Sequence, residues 1–283
     1  MKLLMFGRTG QVAAEVLRRA GQVQVVALSR DEADLADPVA CAALITGTDA
    51  DAVLNAAAWT NVDGAEANEA AASVINGAAP TAMAEAAAAR DLPFIHISTD
   101  YVFDGSGTAP WQVGDAVAPI NAYGWTKLAG ERGVEAAGGP HAILRTSWVF
   151  SAHGANFVRT MLRVGASRER LTVVDDQIGG PTPAAAIADA CITIAATFQS
   201  GGGQSGIYHL SGSPAVSWCD FARAIFAVAG MSTVAEPIPT TDYPTPAKRP
   251  LNSRLDCSAI GEAFGINVPD WRAGLSDVLE DLK

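Results

Sequence analysis

Three features of the 283-residue sequence predict an α/β fold with a doubly wound parallel sheet and a smaller mixed α/β lobe. Short apolar runs alternate with Ala-rich stretches along the first 150 residues, the runs are apolar at every position, and a glycine turn joins the first run to the first helical stretch. Strands buried on both faces of a parallel sheet are apolar throughout, and alternation of strand with helix marks βαβ units.

The expected strands are residues 3–6, 23–28, 52–55, 94–98 and 142–146, and the expected helices 11–20, 38–45, 65–90 and 122–136. Asp37 followed by Pro38 reads as an N-cap and first-turn proline. Asp-Gly-Ala-Glu at 63–66 reads as a capping box, with Asp63 receiving the Glu66 N–H. Beyond Thr146 the rhythm degrades. Glycines punctuate shorter elements, residues 238–254 are Pro-rich and irregular, and 220–229 and 275–282 have amphipathic helical patterns. This predicts a first domain over 1–150 and a second lobe over 151–283, with parts of 156–200 packing back on the first.

Composition limits the function classes. Apolar residues make up 49% of the chain, 55 of them alanines, so a large core forms and general disorder is excluded. Nineteen basic against thirty acidic residues give a net charge of −11, which argues against a nucleic-acid surface. The N-terminal apolar stretch ends after four residues, and no run approaches the roughly 18 residues of a membrane span. A cytoplasmic protein without membrane attachment is therefore expected. Four cysteines without C-x-x-C spacing read as reduced structural thiols.

Gly7-Arg8-Thr9-Gly10-Gln11-Val12-Ala13 follows the first strand and opens the first helix, the order a dinucleotide turn requires. Gly7 permits the tight turn, Gly10 lets the backbone approach a pyrophosphate, and the helix N-terminus offers unpaired N–H groups to it. The sheet is thus expected to be Rossmann-like. At the end of the second strand, Ser29-Arg30 stands where an acidic residue would bind the ribose of NAD, and Arg8 is close in sequence. A guanidinium matches a 2′-phosphate, so NADPH is favoured, with NADH left open by the nearby Asp31 and Asp34.

Tyr123 and Lys127 lie four residues apart, on one face of a helix. A free phenol titrates too high to trade protons readily at neutral pH, and a nearby ammonium is expected to lower that value. The lysine can also hold the nicotinamide ribose. His-Ile-Ser-Thr-Asp-Tyr-Val-Phe at 96–103 runs off a strand end, where Thr99 can donate to a substrate carbonyl oxygen. Asp175-Asp176 reads as a turn and not as a paired-carboxylate site. His96, His141, His153 and His209 lack ligand spacing, and Trp111 and Trp218 read as core cover.

Glycine turn, Thr at a strand end and Tyr-x-x-x-Lys, in that order, form the pattern of the extended short-chain dehydrogenases/reductases. Within that superfamily the sequence resembles the dTDP-4-dehydrorhamnose reductase family nearly end to end. The marks are GRTGQV at 7–12, NAAAWTNVDGAE at 55–66, STDYVFDG at 98–105, YGWTKLAGE at 123–131, RTSWVF at 145–150, NFVRTML at 156–162, VVDDQIGGPT at 173–182 and YPTPAKRPLNSRLD at 243–256.

The resemblance implies reduction of the C4 ketone of dTDP-6-deoxy-L-lyxo-4-hexulose to dTDP-L-rhamnose, for carbohydrate biosynthesis. It implies a cofactor turn lined by Gly10, Gln11 and Val12, with Arg30, Asp34, Leu35, Ala58, Trp59 and Thr60 around adenosine and ribose. It gives Tyr123 the role of proton donor and Lys127 that of its partner. Thr99, Asp100 and Trp148 would meet the sugar, and Asn156 and Arg249 the diphosphate. Many relatives carry an acidic residue in place of Arg30, a departure that supports NADPH. Some relatives bridge subunits with magnesium held by glutamates. Here Glu15 is present but residues 183–186 offer no second glutamate, so a homodimer would have no metal-bridged interface. Two other readings stay open at this point: a sugar-nucleotide epimerase or another reductase on the same scaffold, and a non-catalytic regulatory subunit with this fold.

Overall fold

The computed structural model describes all 283 residues. The first half alternates β1 (Lys2–Phe6), α1 (Gln11–Arg19), β2 (Gln24–Leu28), α2 (Pro38–Thr46) and β3 (Ala52–Asn55). Next come α3 (Val62–Ala67), α4 (Glu69–Ser73), a π-turn (Val74–Ala78), α5 (Ala79–Ala88), β4 (Phe94–Thr99), α6 (Ala122–Ala137) and β5 (His141–Thr146). Then follow β6 (Val149–Phe150), α7 (Phe157–Gly165), β7 (Arg170–Val174), β8 (Ile178–Gly179), β9 (Thr182–Pro183) and α8 (Ala184–Gln199). The chain ends with β10 (Gly206–His209), β11 (Val216–Ser217), α9 (Trp218–Val228), β12 (Val234–Ile238), β13 (Asn252–Ser253), α10 (Ser258–Phe264) and α11 (Trp271–Asp281).

The central sheet has the order β10-β5-β4-β3-β1-β2, and every neighbouring pair is parallel. Side chains on β1 alternate between two cores: Leu3 and Met5 face the side covered by α1 and α8, while Leu4 and Phe6 face the side covered by α2 and α5. This is the doubly wound Rossmann-like arrangement that the apolar runs predict. Strand β10, which the sequence reading did not find, adds the sixth strand by pairing with β5, and α8 packs on α1. A third core, including Phe150, Val158, Phe221 and Trp271, holds the remaining elements of the second half. No helix is long and apolar enough to cross a membrane. All four cysteines are buried and unpaired.

Two local expectations are corrected. The expected single helix over 65–90 is broken into α3, α4, the π-turn and α5. Pro80 lacks the N–H that would bond the Asn76 carbonyl one turn earlier, and its ring would collide with it in a regular helix. The wider π-turn relieves this. The freed Asn76 carbonyl faces Gly130 of α6, where a Cβ would lie 2.1 Å from it. Gly130→Ala should therefore destabilise the protein by about 1–3 kcal/mol, despite alanine's better helix propensity, read as a lower urea midpoint with unchanged slope.

The proposed capping box at 63–66 is also absent. Asn61 caps α3 by accepting the Gly64 N–H, and both acidic groups serve distant partners. Glu66 accepts the Ala122 N–H at the start of α6 (2.8 Å), and Asp63 pairs with Arg249 (2.9 Å). Asp37 does cap α2, accepting the Ala40 N–H. Asp175 and Asp176 are structural as expected: Ser217 donates to the former, and the Thr240 backbone and hydroxyl to the latter.

Candidate active site

Gly7 ends β1 with a φ of +104°, a conformation that favours glycine. The chain then enters α1, whose Gly10 N-cap makes no side-chain bond and whose first turn holds no acidic residue. Its leading N–H groups are thus open to an anion. A cavity of about 310 Å³ lies over this turn, lined by Gly7, Arg8, Thr9, Gly10, Arg30, Asp34, Leu35, Ala58 and Thr60, together with Ser29, Ala33, Ala56, Ala57 and Ile75. Most of the expected cofactor residues therefore share one concavity, and the donor set fits a dinucleotide.

Five expected cofactor residues, Gln11, Val12, Trp59, Tyr123 and Lys127, do not line it. The Val12 side chain belongs to the sheet core. Gln11 reaches across to the second half, accepting bonds from Ser151 Oγ and Asn156 Nδ2 at 3.0 Å each. Trp59 is fixed by Asn76 through its backbone N–H (2.9 Å) and packs against the small cluster of Ala65, Ala72 and Ala122. Each arginine of the cavity faces a carboxylate: Arg8 lies 3.1 Å from Glu32, and Arg30 lies 3.4 Å from Asp34.

A second cavity, of about 380 Å³, is lined in part by Tyr101, two residues beyond the end of β4. Polar Asp63, Tyr101, Thr172, Gln177, Tyr243, Thr245 and Arg249 line it with apolar Phe157, Met161, Val173, Val174 and Trp218. Arg249 is its only cation. Trp218 packs on the third core, as its sequence context implied, and also forms a wall of this cavity. Trp148 stands behind it, stacked ring on ring at 3.5 Å, with φ of +50°. Asn156 caps α7 by accepting the Arg159 N–H and donates to Gln11, Ser151 and His153. Its side chain is committed within the fold.

Tyr123 contacts the lining of the second cavity through Tyr101, and Lys127 follows one turn along α6. Asn121 caps α6 by accepting the Gly124 N–H and donates to the Lys248 carbonyl, which ties the helix start to the irregular segment. Tyr123 is half-buried. Its ring meets Tyr101 of the second cavity edge-on at 5.6 Å, and, like Trp59, it packs against the cluster of Ala65, Ala72 and Ala122. Burial pushes its phenol up to about 12, the Thr99 hydroxyl acts against this, and the Asp100 charge adds to it. The expected lowering by Lys127 is not found. The lysine Nζ turns instead to the Ile97 carbonyl (2.7 Å) and His96 Nε2 (3.2 Å).

Thr99 donates to Asp100 Oδ1 and accepts the Tyr101 N–H, each at 3.2 Å. Asp100 is buried with Oδ2 unpartnered. Burial raises its carboxyl to about 7 against the hydroxyls of Ser253 and Thr99. Sequence reasoning missed Asn55 and His96 beneath the lysine and the Asp63–Arg249 pair beside the second cavity. Cross-strand register and long-range folding bring these together, and no local spacing announces them.

Comparison with known proteins agrees with the geometry. A family model described as RmlD substrate binding domain matches residues 1–283. The chain is 45% identical to the dTDP-4-dehydrorhamnose reductase of Burkholderia thailandensis, over 100% of this chain and 99% of the relative. It is 39% identical to that of Escherichia coli K12, over 100% and 98%. The crystal structure of a dTDP-4-dehydrorhamnose reductase from Clostridium acetobutylicum superposes with a TM-score of 0.93 at 33% identity, covering 100% of this chain and 99% of that one. The Bacillus anthracis enzyme in complex with NADP does so with a TM-score of 0.93 at 29% identity, covering 99% of each. Nucleotide turn, Tyr-x-x-x-Lys helix and full-length similarity thus converge, and the chain belongs to the dTDP-4-dehydrorhamnose reductase family.

Proposed function

We propose that the chain is an NADPH-dependent oxidoreductase that reduces the C4 ketone of dTDP-6-deoxy-L-lyxo-4-hexulose to dTDP-L-rhamnose in the cytoplasm. The observation that carries this reading is Tyr123, whose ring meets Tyr101 of the Arg249-lined cavity, in a chain whose glycine turn carries an open cavity of its own.

NADPH, when bound, supplies the hydride. The open N–H groups at the start of α1 would hold its diphosphate, with Arg8 and Arg30 at the adenosine ribose and Lys127 at the nicotinamide ribose. Tyr123 donates the proton to the developing C4 oxyanion. Its raised value suits reduction, since the phenol is fully protonated at neutral pH. Thr99 is assigned to the same oxygen as a hydrogen-bond donor, and Asp100 to the sugar beside it. Arg249 is assigned to the substrate diphosphate. Trp148 supports the sugar side through Trp218, and Asn156 acts indirectly by fixing Gln11 under the turn.

In this reading residues 1–150 form the cofactor domain and 151–283 the substrate lobe, with α8 and β10 returning to the cofactor domain. Two copies would associate without a shared metal, because Glu15 is taken up by Arg18 at 2.8 Å. The test of the reaction is transfer of deuterium from nicotinamide-labelled NADPH to C4 of dTDP-L-rhamnose. A product lacking the label overturns the reading.

Cofactor choice has its own test. Arg30→Asp should shift the kcat/KM ratio from NADPH toward NADH by on the order of fivefold, a modest factor because the guanidinium is exposed and screened. An unchanged ratio would reduce Arg30 to a surface partner of Asp34.

A further inference from the structure

Lys127 rests on two buried residues that the reaction as described does not use. His96 on β4 is paired in register with Asn55 at the end of β3, so their side chains share a face of the sheet. Both are 1% exposed, as is Lys127. Asn55 Oδ1 accepts the Ala57 N–H at 3.2 Å. That contact fixes the amide orientation and turns Nδ2 toward His96 Nδ1, also at 3.2 Å. An amide nitrogen only donates, so Nδ1 accepts and the imidazole proton sits on Nε2. Nε2 in turn lies 3.2 Å from Lys127 Nζ.

This geometry decides the state of the lysine. Nζ donates to the Ile97 carbonyl at 2.7 Å. An ammonium has no lone pair, so an ammonium and Nε2–H would oppose donor to donor. A neutral amine accepts from Nε2–H and still donates to Ile97. An imidazolium is no remedy, because it would set two N–H groups against two donors, and burial and the lysine charge both disfavour it. The remaining charged and titratable neighbours lie on both sides. Glu131, one turn along α6, favours the ammonium, but its carboxylate is held by Arg145 from β5 and by Ser98. Tyr123 lies one turn before Lys127 on α6, and Asp100 directly follows β4. Burial, against Glu131, brings Lys127 down to about 8.

We propose that Asn55 and His96 form a directed donor chain in which His96 is a positioning residue, biasing Lys127, docked on Ile97, toward its neutral amine until ribose hydroxyls claim it. The proposal rests on the reading of Lys127 as the ribose-holding residue. An ammonium offers three donors, enough for Ile97 and two hydroxyls, so cofactor capture takes up a proton at this lysine. Affinity for NADPH then falls as pH rises through the lysine's value, where the ammonium form is lost.

Nuclear magnetic resonance of the cofactor-free full chain tests this without reference to turnover, so its failure is separable from failure of the assigned reaction. The chain has four histidines and four lysines, which keeps assignment simple. Imidazole nitrogen shifts should show His96 protonated on Nε2, and the Lys127 side chain should titrate well below the other three lysines. Asn55→Asp places an acceptor at Nδ1, reverses the tautomer and aims a lone pair at Nζ, so the proton affinity of Lys127 should rise at least tenfold. His96→Phe removes Nε2–H while keeping a buried ring, and it should also raise that affinity. Burial alone predicts a fall in the phenylalanine variant. A wild-type Nδ1–H tautomer, or Lys127 titration that is unmoved or lowered in a folded variant, overturns the proposal. Calorimetry of NADPH binding in buffers of different ionisation enthalpy should show proton uptake near pH 8, and uptake of none would contradict it.

Discussion

Tyr123→Phe is expected to cut turnover by at least about a hundredfold while NADPH still binds, because loss of a positioned general acid costs on the order of 10²–10⁴ in rate. The substitution removes one oxygen and leaves the ring against Tyr101 and the cluster of Ala65, Ala72 and Ala122. Its packing loss is therefore small, and the defect should appear in kcat with the cofactor dissociation constant unchanged. The structure sharpens this expectation. The phenol is held up to about 12, chiefly by burial, so at neutral pH the acid is present in full. Its ionisation should not limit the forward reaction anywhere in the neutral range. Near-normal turnover in the variant would remove Tyr123 from its role.

Arg145→Leu is expected to produce the largest loss of stability. Arg145 and Glu131 are 3% and 1% exposed at their side chains, and the guanidinium reaches both carboxylate oxygens at 2.7–3.2 Å. The arginine also lies over Phe103, 5.1 Å from the ring centroid. Removing it leaves the Glu131 carboxylate buried with Ser98 as its one remaining side-chain donor. Breaking a buried pair from one side costs about 3–5 kcal/mol, and urea unfolding should read that loss. The double variant Glu131→Gln with Arg145→Leu should recover much of it, since the stranded charge is gone. A single variant within about 1 kcal/mol of wild type would show that the pair contributes little.

These two predictions also separate what local sequence carries from what it does not. The strands of the sheet were legible almost to the residue, β3 at both ends, because a strand buried on two faces cannot hide its apolar run. Strand β10 escaped because four residues after a Gly-rich loop make too short a signal. The break in the 65–90 helix escaped because a run of alanines masks it, although Asn68, Asn76, Gly77 and Pro80 were its local signs. In the site, the glycine turn and the Tyr-x-x-x-Lys helix were legible because each lies within one or two turns of chain. Asn55 beneath His96 depends on strand register. Trp148 behind Trp218, and Asp63 beside Arg249, depend on the second half folding back. Two residues of the quoted motifs, Glu131 and Arg145, pair with each other in the core under the site and line neither of its two cavities.

The central claim is net reduction of a 4-keto sugar nucleotide by NADPH. It is tested most directly by mixing the purified chain with NADPH and the dTDP-4-keto-L-sugar and following the absorbance of the reduced nicotinamide. The account predicts stoichiometric NADPH oxidation matched by dTDP-L-rhamnose, and little or none with the C5 epimer of the substrate. Tightly held NAD that is recycled while C4 epimers interconvert, with no net consumption of NADPH, would contradict it.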